Sequence, residues 1–94
     1  AWLTGPSGIQ VAQLSATLQT MLNGVIAGAA AANGALIADV AAAFHSTDWS
    51  PAPGTSVPTN VATICAWTWM CTKADIHAND AGYAVLAATV AGRL

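Results

Sequence analysis

Ala35-Leu36-Ile37-Ala38-Asp39-Val40, directly after Asn33-Gly34, is the stretch on which the fold turns. It is a short, mostly apolar run without polar alternation. Such a run reads as a strand buried on both faces, as in a parallel sheet. Upstream the period changes. Leu14, Leu18, Met21, Leu22, Val25, Ile26 and Ala29 fall on one stripe of a helix that begins near Ile9. Gln13, Thr17, Gln19, Thr20 and Asn23 mostly take the opposite side. Asn33-Gly34 ends the helix, since both tolerate the left-handed conformation of a helix C-terminus. Gly5-Pro6-Ser7-Gly8 before it is turn material. Helix, glycine and buried strand make one half-turn of an α/β layered fold. Asp39 then lies near the strand's C-terminal end, where open α/β sheets place ligands.

Downstream, Val40 to Phe44 continues as a short helical turn. Ser46 to Thr63 reads as a long loop, with three prolines, a glycine and many hydroxyl residues. Ile64 to Met70 is apolar and lies between two cysteines. A last helix carries Tyr83, Leu86, Ala87, Val90 and Leu94 as its apolar stripe, with Asn79 or Asp80 as its cap. One buried strand cannot make a sheet, because its N–H and C=O groups need neighbours. The 94 residues are therefore expected to be a single partial α/β domain. It would be completed by another segment or by copies of itself.

Composition narrows the function classes. Apolar residues are 55% of the chain and charged residues only 6%, with a net charge of −2. One lysine and one arginine cannot line a nucleic-acid groove, which needs clustered basic side chains. A polybasic membrane patch is excluded on the same ground. The apolar run from Val25 to Phe44 is long enough to suggest a membrane span. It is mostly Ala and Gly, however, is broken by Asn33-Gly34, and contains Asp39. Ala1-Trp2-Leu3-Thr4-Gly5 has no basic region and no leader-like apolar core, so no signal peptide is expected. Cys65 and Cys71 enclose five residues. A local disulfide in an oxidising compartment is the simplest reading, with free thiols or a metal site as the alternatives. The spacing is not that of a usual zinc knuckle.

The chemistry concentrates in Asp75-Ile76-His77-Ala78-Asn79-Asp80-Ala81-Gly82-Tyr83. An acid beside a histidine, just before a helix, can fix the imidazole tautomer at Nδ1 and leave Nε2 to take a hydroxyl proton. The bland alternative is a surface turn with a helix cap. No nucleophile accompanies the pair. Ser7, Ser15, Ser46, Ser50 and Ser56 sit in no Gly-x-Ser-x-Gly elbow. His45 with Asp39 and Asp48 has irregular spacing and fits a polar strand end better than a metal site. Trp67 and Trp69 either line a pocket near His77 or pack the cysteine loop, and packing is the more ordinary use.

The 75–83 stretch resembles the last conserved block of SGNH (GDSL-type) esterases and lipases. The resemblance extends upstream. Leu22-Asn23-Gly24-Val25-Ile26 and Gly34 to Phe44 look like that family's penultimate helix and last sheet strand. Ile64-Cys65-Ala66-Trp67-Thr68-Trp69-Met70-Cys71 looks like the disulfide loop of secreted bacterial members. The resemblance implies a three-layer α/β/α sandwich, of which this chain is the C-terminal part: long helix, one buried strand, disulfide loop and final helix. It also implies a secreted serine ester hydrolase that acts through an acyl-enzyme on an ester or lipid, with no cofactor and no metal. His77 would be the general base and Asp75 its orienting acid.

Two departures stand out. The commonest family spacing is Asp-x-x-His, but Ala74 holds that position and Asp75 lies two before His77. Either Asp75 or a backbone carbonyl is then left to orient the ring. The family's Gly-Asp-Ser block and its oxyanion Gly and Asn are not recognisable. A companion segment carrying the serine is therefore expected, and these residues alone should be inactive. The competing expectation is a small secreted binding or assembly module that self-associates through uncharged helical faces, with the disulfide loop and tryptophans as its recognition surface.

Overall fold

The computed structural model describes residues 5–94. The reading of Ala1 to Thr4 as free of a leader lies outside them. The described residues divide at Ile37 into two compact units, 5–37 and Ala38–Leu94.

The first unit is essentially one helix, α1, Pro6–Ala32. It starts earlier than its apolar stripe suggests. Gly5 is extended and forms the N-cap, and Pro6 occupies the first turn, where its missing N–H is no loss. The helix ends as the Asn33-Gly34 pair predicts. Gly34 sits at φ +69°, its N–H donates to the Ala31 carbonyl, and Ala35 N–H donates to Ala30 at 2.9 Å. That pair of bonds is a Schellman closure, which satisfies carbonyls the helix would otherwise leave open. The stripe is not covered within the unit: Leu14, Met21 and Val25 are 64%, 65% and 70% exposed.

The strand expected over Ala35–Val40 does not form. Ala35 to Asp39 takes no regular structure, and Leu36 is 64% exposed. The physical reason is the deficit noted above: no neighbouring strand among the described residues accepts its backbone groups. Asp39 is not a strand-end residue either. Its carboxylate accepts from Ala42 N–H at 3.0 Å and caps α2, Val40–Ala43.

The second unit continues through the loop 44–58 into α3, Thr59–Trp67. The loop expected to run to Thr63 stops at Pro58. Residues 59–63 are helical because the loop supplies partners for the helix's first donors. Thr59 N–H donates to Ser50 O at 2.7 Å and Asn60 N–H to Asp48 O at 3.0 Å. Asn60 also donates from Nδ2 to Ser46 O at 3.1 Å. After α3 come β1, Thr68–Trp69; α4, Met70–Lys73; β2, Asp75–Ala78; and α5, Asp80–Ala91. Strands β1 and β2 pair antiparallel, Thr68 opposite Ala78 and Trp69 opposite Asp75, with a bulge between. Five helices and one two-stranded sheet make the described residues mixed α/β. The three-layer sandwich with a buried strand is not formed by them.

Few side chains of this unit are fully buried. Val61 is its buried hydrophobic side chain, at 4% exposure, and Asn60, Thr63 and Thr68 are its buried polar ones. Each of those three is satisfied: Asn60 Oδ1 accepts from Val61 N–H at 2.9 Å, Thr63 Oγ1 donates to Thr59 O at 2.8 Å, and Thr68 Oγ1 donates to Ile64 O at 2.6 Å. The cysteines form the local disulfide, Cys65–Cys71, across α3 and α4, with Cα atoms 5.1 Å apart. The expected apolar stripe of α5 faces largely outward, with Tyr83 54% and Val90 49% exposed. No helix among the described residues is long and apolar enough to cross a membrane.

Candidate active site

Ala74 ends α4 in the left-handed conformation, at φ 52° and ψ 36°. That single residue reverses the chain into β2 and brings Asp75 and His77 into one short extended segment. The Asp75 carboxylate then folds back on its own strand. Its Oδ1 accepts from His77 N–H at 3.0 Å and meets His77 Nδ1 at 2.5 Å. The two-residue spacing therefore brings acid and imidazole together. Of the two candidates for orienting the ring, the carboxylate is the group at Nδ1. A proton on Nδ1 donates to Asp75 and leaves Nε2 with a free lone pair.

The electrostatics follow from the same contacts. The His77 backbone N–H, then the imidazole, hold the Asp75 carboxyl below the usual carboxylate range, with a smaller contribution from the Lys73 ammonium. The pair is open to solvent, at 73% exposure for the imidazole and 46% for the carboxylate. A pair so exposed adds little to stability. What it supplies is orientation of the ring.

The helix after the pair is capped by Asn79, whose Oδ1 accepts from Gly82 N–H at 3.0 Å. Asn79 also ties back to the cysteine loop. Its backbone N–H donates to Trp67 O at 3.0 Å, and its Nδ2 to Ala66 O at 2.8 Å. Gly82 is buried against that loop. A Cβ there would run into the Trp67 carbonyl oxygen and meet Ala78 Cβ at 3.0 Å. Sequence reasoning offers Asn79 or Asp80 as the cap, of which Asn79 is the one used, and misses this second attachment, which joins residues 13 apart.

The tryptophans divide. Trp67 packs edge-on against Phe44, with ring centroids 5.1 Å apart, and lies 6.0 Å from the His45 ring. Trp69 is 37% exposed, with Lys73 Nζ 4.3 Å from its ring centroid. That is a cation–π contact within β1 and α4, which the sequence reading did not include. His45, Asp39 and Asp48 do not form a cluster of three. Asp39 caps α2, and Asp48 Oδ1 takes both the N–H and the hydroxyl of Ser50. Among the described residues no group of three or more His, Cys, Asp or Glu side chains is placed to hold a metal.

Within Ala38–Leu94 no serine hydrogen-bonds to His77, and Ser50 is occupied by Asp48. This half of the chain thus offers an oriented base without a nucleophile beside it. Chemically it can accept a proton at Nε2 and return it, provided another group brings the reacting atom. Compared with protein-family models, with curated proteins and with solved structures, the chain has no match.

Proposed function

We propose that this chain supplies the acid–base half of a serine ester hydrolase of the SGNH type, with the nucleophilic serine and oxyanion donors on residues outside these 94. The observation that carries the reading is the contact of Asp75 Oδ1 with His77 Nδ1, immediately before a capped helix. Support also comes from the cross-linked loop that precedes it. The open stripe of α1 and the unpaired Ala35–Asp39 segment fit a partial domain whose sheet lies elsewhere. On this reading the protein is secreted and needs no cofactor.

In the proposed reaction the serine oxygen attacks the ester carbonyl while its proton passes to His77 Nε2. Collapse of the tetrahedral intermediate breaks the bond to the alcohol, which leaves with that proton. Water then attacks the acyl-enzyme, giving its proton to Nε2, and the proton returns to the serine as the acid departs. Asp75 stays ionised throughout and stabilises the imidazolium.

A fluorophosphonate label on the intact protein tests this. The label should land on one serine outside residues 1–94, and an ester substrate should protect that serine. A protein that hydrolyses no ester and takes no label, yet self-associates through the α1 stripe, would favour the assembly-module reading instead.

A further inference from the structure

We infer that Asn79 is a positioning residue whose carboxamide fastens the strand bearing His77 to the disulfide loop and so sets where the imidazole stands. The inference rests on the esterase reading above.

A cap alone does not need a carboxamide. Serine, threonine or aspartate would accept from Gly82 N–H equally well. Asn79 does more, because one planar group carries an acceptor and a donor at fixed separation. Oδ1 holds the start of α5 through Gly82, while Nδ2 reaches Ala66 O at 2.8 Å. The backbone N–H of the same residue takes the next carbonyl, Trp67 O, at 3.0 Å. One residue thus bonds two consecutive carbonyls on one side and a helix on the other.

The anchor is itself restrained. Ala66 and Trp67 lie inside the ring closed by Cys65–Cys71. Thr68, the next residue, pairs with Ala78, which lies between His77 and Asn79. Gly82 lets the helix come against the Trp67 carbonyl, where any side chain would push it away. His77 is therefore oriented from one side by Asp75 and located from the other by Asn79. The Nδ2 bond is solvent-exposed, so water replaces it readily when it is removed. Its loss should cost the fold little and the placement of His77 much more.

The variants Asn79→Ser and Asn79→Asp keep the cap oxygen and remove the donor. In the intact protein hydrolysing a p-nitrophenyl ester, each should lower kcat on the order of 10²-fold at nearly unchanged KM, the effect of a displaced catalytic group. Amide hydrogen exchange across Asp75–Ala78 should quicken about tenfold, while the exchange of α1 and the Tm stay near wild type. The His77 tautomer, read from the ring 15N shifts, should persist, because the Asp75 contact is local. Normal kcat in both variants, or a rise in KM alone, overturns the inference. His77→Ala is the control. If that variant remains active, the esterase reading has failed, and the exchange rates alone judge the clamp, with unchanged exchange rejecting it.

Discussion

Asp48-Trp49-Ser50 and Asp75-Ile76-His77 are the same local device built twice. In each, a carboxylate Oδ1 accepts from the N–H two residues on and also binds that residue's side chain. In each, those bonds hold the carboxyl below its usual range, with Ser50 the main cause for Asp48 and His77 for Asp75. Local turn chemistry is therefore enough to join an acid to a residue two positions away. What differs is the surroundings. Ser50 spends its hydroxyl on Asp48, and its carbonyl receives Thr59, so the first turn is consumed in starting α3. His77 keeps Nε2 free of partners among the described residues. It stands on a strand paired to a disulfide-closed loop and ends at a capped helix. An acid–side chain contact becomes a candidate for chemistry only when the partner atom is left available and its position is fixed.

That difference can be pushed on. The largest expected effect is on turnover. Asp75→Asn should lower ester hydrolysis by on the order of 10²-fold or more, because the imidazole loses the acceptor that fixes its tautomer. Asp48→Asn should leave hydrolysis within about twofold of wild type, as read by initial rates of both variants. Next comes the anchor. Replacing Cys65 and Cys71 by alanine removes a short cross-link worth about 2 kcal/mol by loop-closure entropy. Denaturant melts of the double variant should show that loss, and amide exchange should rise in β1 and β2 while the Asp48 turn is spared.

A smaller effect is expected at the reversal before Asp75. Ala74 holds a left-handed conformation that disfavours a side chain by about 1 kcal/mol. Ala74→Gly should raise stability by about 0.5 kcal/mol, once glycine's greater freedom in the unfolded chain is deducted. Matched thermal melts would read it. The smallest effect is in titration. Both folded-state carboxyls lie below their unfolded value of 3.8, so the stabilisation each gives is full above that value. It is lost as pH falls through the folded midpoint. Carboxyl-carbon NMR should place both midpoints under 3.8. A midpoint at or above it for Asp75 would remove the electrostatic half of the comparison.

Much of this was legible in the sequence where the cause is local. The stripe and the Asn33-Gly34 stop predict α1 and its closure. Asn79 and Asp80 mark the capped start of α5, the two close cysteines their bond, and Asp75 its reach to His77. The failures are where structure depends on something distant. Ala35–Val40 has a buried strand's composition, but composition cannot supply the neighbouring strand that makes it one. Strands β1 and β2 are two and four residues long, too short to show a period. Their pairing joins residues distant in sequence, Thr68 to Ala78, which no local pattern announces. Helix α3 is rich in β-branched residues and sits behind three prolines, so its composition reads as loop. The carbonyls of Ser50 and Asp48 turn it into a helix.

The central claim is that His77 moves the protons of an ester hydrolysis. It is tested most directly by pre-steady-state acylation of the intact protein with a p-nitrophenyl ester, wild type against His77→Ala and Ser50→Ala. The expected result is a loss of acylation rate on the order of 10³-fold or more for His77→Ala, with Ser50→Ala near wild type. An acylation burst of normal rate in His77→Ala would contradict it.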